Sequence, residues 1–318
     1  VARVDVFNGD ADGICALQQL RLAEPGEGIL VTGVKRDIGL LDRVRAGPGD
    51  EVTALDISLD KNREALTRLL AAGAQVRYFD HHYAGDLPEH PRLLLRIDPA
   101  PDRGTSLLVD EYLGGRFRAW AVVGTFGDNL DDSARRAAEP LGLAPAALDR
   151  LRELGVLMNY NAYGERVEDL HFAPDALYRR VQPYADPLEF AEADPAFEQL
   201  RGGFGDDAAR ARALVPELET ERVAVYVLPA APWARRVSGV FANELARAAP
   251  GRAHALLTGR GDGSFVVSVR APLATRVGAD ALCRQFPGGG GRQAAAGVNQ
   301  LPESRYDEFV RRLQEAFA

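Results

Sequence analysis

Cysteine, methionine and tryptophan are scarce in this 318-residue chain, with two, one and two residues respectively. Cys15 and Cys283 lie far apart and lack a CxxC spacing, which excludes a disulfide framework and a zinc knuckle. No apolar run approaches the length of a transmembrane helix. The first residues carry an acidic side chain straight into strand-like sequence and do not read as a signal peptide. The expectation is a cytoplasmic protein with no membrane partner. A basic excess is missing as well: 38 Lys and Arg face 46 Asp and Glu, for a net charge of −8. Proteins that grip long nucleic acid by its backbone usually show a basic surface. Long, non-specific polymer binding is therefore disfavoured, and part of the acidity is available for metal ligation. Repeats and low-complexity segments are absent apart from an Ala/Arg bias. What is left, 46% hydrophobic and 26% charged, is an ordinary globular composition with length enough for two cores.

What is there centres on Val76-Arg77-Tyr78-Phe79-Asp80-His81-His82. Val76 to Phe79 reads as a short buried strand entered from Gly73. A carboxylate and two imidazoles follow it at once. A lone histidine in such a place usually satisfies a hydrogen bond. Asp-His-His at the C-terminal end of a strand in an α/β chain points instead to ligands, because consecutive side chains leave a strand in different directions.

The earlier strands end in the same way. Ala2 to Phe7 reads as a strand, Asn8-Gly9-Asp10-Ala11-Asp12-Gly13 as a tight turn, and Ile14 to Leu22 as a helix. Asp10 and Asp12 can face one pocket above a sheet edge. The turn has the look of a calcium loop, but Gln19 falls where the closing Glu belongs and a strand, not a helix, precedes it. Gly28 to Val34 is a second strand. Lys35 and Arg36 after it could bind phosphate, although charges there are usually solvated. Glu51 to Leu55 is a third strand ending at Asp56. Asp60 reads as the N-cap of the helix Lys61 to Ala72, which leaves Asp56 free for chemistry. In an open parallel sheet, ligands bind where strands end in this manner.

Leu93 to Ile97 is a further strand. Gly104-Thr105-Ser106 opens a helix to Leu113 whose N-terminus could receive a phosphate or carry an ordinary Ser/Thr cap. Ala119 to Phe126 is an apolar helix that ends beside Asp128, an expensive place for an unpaired carboxylate. Asn159 to Gly164 reads as a bend. Asp186-Pro187 reads as an N-cap and first turn, and Gly202-Gly203 as an interruption in the helix that follows. A smaller unit has a strand at Val223 to Leu228 and a helix at Arg236 to Ala248. His254 to Thr258 and Ser264 to Val269 form a hairpin that ends at Arg270. Gly288 to Gly297 includes Arg292 and reads as an anion-binding loop ahead of a flexible linker, since glycine lets backbone approach closely and arginine gives a bidentate fork.

Together these motifs resemble the DHH phosphoesterase superfamily with its DHH-associated C-terminal domain, over nearly the whole chain. Asp10-Ala11-Asp12-Gly13, Asp56, Asp80-His81-His82 and Asp128 look like its four acidic motifs, and Gly288 to Gly297 like its glycine motif. The resemblance implies an α/β fold: an N-terminal domain with a mostly parallel sheet flanked by helices, plus a smaller C-terminal α/β domain across a cleft. The expected boundaries are 1–186 for the metal-binding catalytic domain, 187–220 for a helical connector and 221–318 for the substrate domain. It implies two Mn2+ ions, with Mg2+ as the alternative, held by Asp10, Asp12, Asp56, His81 and Asp128, with Asp56 bridging. His82 would contact phosphate and Asp80 would orient a histidine. Two such ions acidify a bridging water and neutralise developing charge. Arg270, Gly289, Gly290, Gly291 and Arg292 would hold the far end of the substrate. Departures stand out at three positions. Val6 occupies the place where many members carry His, and Arg292 the place of the usual His in the glycine motif, which changes terminus recognition. Asn8 stands where the RecJ branch has Asp.

The implied activity is a manganese-dependent phosphodiesterase on short nucleic-acid-derived substrates: oligoribonucleotides, linear dinucleotides or a nucleotide bisphosphate. A homodimer is allowed. The alternatives are a RecJ-like single-strand exonuclease, for which strand-gripping extra domains and stacking aromatics would be expected, and an exopolyphosphatase or pyrophosphatase. A non-catalytic nucleotide sensor is the contrasting class.

Overall fold

Five short strands rich in β-branched, leucine and aromatic residues build the first sheet, and helices cover it. The computed structural model describes residues 1–318 and falls into two compact units, Val1–Gly202 and Gly203–Ala318. In the first, β1 (Arg3–Asn8), α1 (Ala11–Ala23), β2 (Ile29–Gly33), β3 (Glu51–Leu55), α2 (Leu59–Ala71), β4 (Gln75–Asp80) and β5 (Leu93–Ile97) follow in order. All strand pairs are parallel, in the order β2-β1-β3-β4-β5. Helices α3 (Thr105–Tyr112), α4 (Arg118–Gly127), α5 (Asp131–Ala138), α6 (Pro145–Asn161), α7 (Pro174–Val181), α8 (Pro187–Ala193) and α9 (Pro195–Arg212) come after it.

Register explains why the acidic residues meet. Ile29, Val4, Val52, Val76 and Leu93 form one row across the sheet, and Phe7, Leu55 and Phe79 form another nearer its C-terminal rim. The next residues on those three strands are Asn8, Asp56 and Asp80. Side chains alternate between faces. Val4, Val6, Val52, Ala54, Val76 and Tyr78 pack with α2 residues Leu66 and Leu69 in one core. Phe7 and Phe79 point the other way, against Tyr178 and Tyr112. A sheet buried on both faces is the expected form for parallel strands joined by helices. The order of strands reverses direction between β1 and β3, which is where such sheets place their ligands.

Helix α1 has no solvent face from Ala11 to Arg21. Its polar residues are spent internally. Gln18 Nε2 donates to Tyr184 O at 2.8 Å, Gln19 Nε2 donates to Ser106 O at 3.0 Å, and Arg21 forks onto Asp5. Helices α4 and α6 cross with backbones touching: a Cβ on Gly127 would lie 2.8 Å from Gly155 O. That approach needs glycine on both helices and sets the position of Asp128, the residue that caps α4.

Three local expectations fail for physical reasons. Asp60 is not the N-cap of α2; Ser58 is, without a side-chain bond, because buried Leu59 starts the helix earlier and Asp60 falls in its first turn. Asn159 to Asn161 is the last turn of α6, not a bend. Leu151, Leu154, Leu157 and Met158 bury at helical spacing and carry the helix through. Gly202 does not interrupt α9, whose buried Ala196, Phe197, Leu200, Ala208 and Ala211 outweigh the roughly 1 kcal/mol cost of a helical glycine. Asp186 does cap α8, accepting from Leu188 N at 2.8 Å.

The second unit has a six-stranded mixed sheet, with β6 (Leu218–Glu219), β7 (Val223–Leu228), α10 (Pro232–Ala248), β8 (Ala253–Gly259), β9 (Ser264–Arg270), α11 (Ala279–Cys283), β10 (Gly289–Gly291), β11 (Ala295–Pro302) and α12 (Tyr306–Ala316). The β8–β9 hairpin lies as the alternation and glycine turn predict. Only β7 and β8 pair in parallel. Val225, Leu257, Val267, Phe286 and Phe309 lie in its main core.

Candidate metal centre

Four chain segments deliver the polar groups to the same rim: the start of α1, the ends of β3 and β4, and the end of α4. Asp10 is the N-cap of α1 and accepts from Gly13 N at 3.0 Å. Asp12 lies in the first turn of the same helix, fully buried. Asp56 follows β3 with φ of 59°, the left-handed region, where Asp is among the few residues tolerated. His81 and His82 follow β4, and Asp128 follows α4. His81 Nε2 lies 3.3 Å from Asp56 Oδ1, 3.5 Å from Asp128 Oδ2 and 3.9 Å from Asp12 Oδ2. One ligand atom each from Asp12, His81 and Asp128 falls within 4.8 Å of the others, and the same holds for Asp56, His81 and His82.

The N-terminus of α3 receives an anion, and that anion is part of the chain. Thr105 N donates to Asp12 Oδ2 at 2.6 Å and Ser106 N to Asp12 Oδ1 at 2.8 Å. Asp12 thus caps α3 from 93 residues away, in place of the phosphate or local Ser/Thr cap expected there. Thr105 Oγ1 also donates to Asp56 Oδ1 at 3.0 Å. Thr105 therefore positions two of the carboxylates at once. His82 Nδ1 lies 2.7 Å from Asp80 Oδ1, and Asp80 is wholly buried. That bond fixes the ring and leaves Nε2 for another partner.

The electrostatics are those of crowded, desolvated acids. Burial, with Asp10 and Asp12 nearby, pushes the Asp56 carboxyl well above its usual range. Burial, followed by Asp128 and Asp10, raises Asp12 against the charge of His81. Burial alone would lower the His81 imidazole, but the bond and charge of Asp56, then Asp12 and Asp128, lift it to about 10. An ion taking its place must displace that proton. Asp128 goes the other way: burial would raise it, and Lys35 and His81 hold it below the ordinary value.

Lys35 is the site residue that sequence reasoning leaves among the solvated charges. Its Nζ contacts Asp10 Oδ2, Asp128 Oδ1 at 3.0 Å and Asn159 Oδ1 at 3.0 Å. Asn159 reads from the sequence as part of a bend and carries no expectation. The available signal is the place of Lys35 soon after β2, the strand beside β1.

A donor set of carboxylate oxygens and imidazole suits a divalent ion such as Mn2+ or Mg2+. Asp12, Asp56, His81 and Asp128 meet that requirement, with His82 at the edge. Asp10 is placed otherwise: one oxygen caps α1 and the other meets Lys35. Val6 is fully buried in the core beneath.

The remaining expected residues lie in the second unit. Arg270 Nε donates to Asn243 Oδ1 at 2.7 Å and Nη1 to Ser268 Oγ at 2.9 Å. Gly289, Gly290 and Gly291 form strand β10 on β11, not an open loop. Sterics account for glycine at its end, because a Cβ on Gly291 would sit 2.6 Å from Ala296 Cα. Arg292 lies in the turn to β11 with its backbone N bonded to Ala295 O at 2.9 Å.

No family model matches the sequence, and no curated protein does. Solved structures do match over the whole chain. The exonuclease RecJ bound to manganese is 20% identical, with 99% of this chain and 90% of that one covered at a TM-score of 0.66. The DHH domain of a member of a ribosomal-protein family is 14% identical, with 99% and 86% covered at 0.66. A pGpG-specific phosphodiesterase from Vibrio cholerae is 15% identical, with 99% of each chain covered at 0.56. These likenesses are likenesses of fold.

Proposed function

Because the chain carries the fold of the DHH superfamily, we propose that it is a manganese-dependent phosphodiesterase acting on short nucleic-acid-derived substrates such as oligoribonucleotides, linear dinucleotides or a nucleotide bisphosphate. The observation that carries this reading is the meeting of Asp12, Asp56, His81 and Asp128 at the C-terminal rim of the parallel sheet. No packing need explains four such groups there, and clusters of perturbed titratable groups at a switch point favour chemistry.

Asp12, Asp56, His81 and Asp128 would hold the ion. When bound, it supplies Lewis acidity, withdrawing charge from a phosphoryl oxygen and lowering the pKa of water. The chain's own groups do the rest. Thr105 and the α3 N-terminus hold two of the carboxylates in place. His82, with Nδ1 fixed by Asp80, presents Nε2 to a phosphate oxygen. Within the second unit, Arg270 and Arg292 are the candidates for binding phosphate through their guanidinium groups. The net charge of −8 favours short substrates over long strands. The pGpG specificity of one structural relative supports a dinucleotide-sized substrate.

The likeness to RecJ favours a second reading, a single-strand exonuclease. One panel separates the two: Mn2+ with short RNA, short single-stranded DNA, a nucleotide bisphosphate, linear and cyclic dinucleotides, and polyphosphate. The proposal requires turnover of short substrates, abolished by EDTA and by Asp56→Ala. Turnover that increases with strand length would favour the exonuclease. Tight nucleotide binding without any turnover would overturn both in favour of a sensor.

A further inference from the structure

We propose that the centre takes a single divalent ion and that the Lys35 ammonium stands permanently where a second cation would otherwise bind. This rests on the metal-dependent reading above. The three N–H donors of a lysine ammonium here meet three oxygens: Asp10 Oδ2, Asp128 Oδ1 and Asn159 Oδ1. Those oxygens make a cation site, and Nζ fills it. A divalent ion bound to oxygens at about 2.0–2.2 Å cannot share that space with a nitrogen already within hydrogen-bond reach of all three.

The lysine is built in at both ends. Its backbone N donates to Ala162 O at 3.0 Å, and its backbone O accepts from Asn8 Nδ2 at 3.2 Å. The Tyr163 ring centroid lies 5.8 Å from Nζ. Asn8 therefore works on the lysine rather than on an ion: its Oδ1 accepts from Asp10 N at 3.2 Å, and its amide holds the Lys35 main chain. Val6, apolar and wholly buried, brings no donor atom from below. Asp128 divides its two oxygens, Oδ1 toward Lys35 and Oδ2 toward His81. It joins the ammonium to the remaining metal set. One fixed positive charge and one exchangeable ion then face the substrate phosphate together.

The experiment counts manganese. Metal-free protein is titrated with Mn2+, and bound ion per chain is measured by mass spectrometry and calorimetry, with electron paramagnetic resonance reporting isolated or spin-coupled Mn(II). Wild type is expected to bind one ion per chain with an uncoupled spectrum. Lys35→Ala is expected to bind a second ion and to show spin coupling. Two ions in the wild type overturn the proposal, and that measurement needs no variant. A Lys35→Ala or Lys35→Gln protein that folds, as judged by circular dichroism, and still binds one ion overturns it as well. Each of those results leaves the metal-dependent reading in place. A wild type that binds no ion overturns that reading instead.

Discussion

Asp56→Asn is expected to stabilise the metal-free protein while abolishing its response to manganese. Asp56 is 2% exposed, and burial with the neighbouring carboxylates raises its pKa well above the ordinary value. A carboxyl with a raised folded pKa contributes its full stability below its unfolded pKa, and loses it as pH rises through the folded one. Above the ordinary carboxyl range the buried side chain is therefore a cost. Asparagine keeps the left-handed backbone that φ of 59° demands. It also keeps an acceptor for Thr105 Oγ1. The lost attraction to His81 offsets part of the gain, which leaves a net of about 0.5–2 kcal/mol, as for other stabilising substitutions at functional sites. For a unit of this size each kcal/mol moves Tm by about 2–4 °C. Thermal unfolding in EDTA and in Mn2+ reads both halves. Wild type should gain about 2.7 kcal/mol at an ion concentration of 100 Kd, and the variant little. The order of the two Tm values should reverse between the two buffers. A variant that is less stable than wild type in EDTA by 1 kcal/mol or more (about 2–4 °C) would show that the buried Asp56 carboxyl is not a cost to the fold.

Other perturbations test separate parts of the molecule. Asp5→Ala strands the Arg21 guanidinium, which forks onto Asp5 at 2.6 and 3.0 Å with both side chains buried. It should cost about 3–5 kcal/mol in urea unfolding, whereas Asp5→Leu with Arg21→Met should recover most of the loss. Asp80→Asn should lower hydrolysis about 10–100-fold with little change in Tm, because it disturbs the bond that orients His82. His254 on β8 is 1% exposed, and burial, then the charge of Arg252, lowers its pKa to about 4. Its folded pKa lies below the unfolded value, so the stability it protects is full above about pH 6.5 and falls as pH drops toward 4, by roughly 2–3 kcal/mol. Urea melts of a Trp120→Phe protein, reported by Trp233, should show that slope, and His254→Leu should flatten it.

The parts of this molecule legible in its sequence are those where local pattern and global packing agree. β3 and β5 fall where the runs of β-branched and leucine residues place them, and the residues after β1, β3 and β4 meet because parallel register aligns strand ends. Lys35 is not legible in this way. It lies 25 residues from Asp10 and 93 from Asp128, and a charge after a strand looks the same whether it is solvated or enclosed. Asp12 as the cap of α3 is hidden for the same reason, since a capping motif is normally sought within a few residues. Gly202 and Asn159 mislead because their intrinsic preferences are overruled by the buried faces on either side.

The all-round burial of α1 has a consequence for motion. A helix with no solvent face has no surface from which to fray, so its amide hydrogens should exchange only when the whole unit opens. Asp10 and Asp12 sit at the start of that helix and inherit its stillness. By contrast, Tyr83 and Leu87 in the segment after His82 stand exposed, so its amides should exchange well before those of α1.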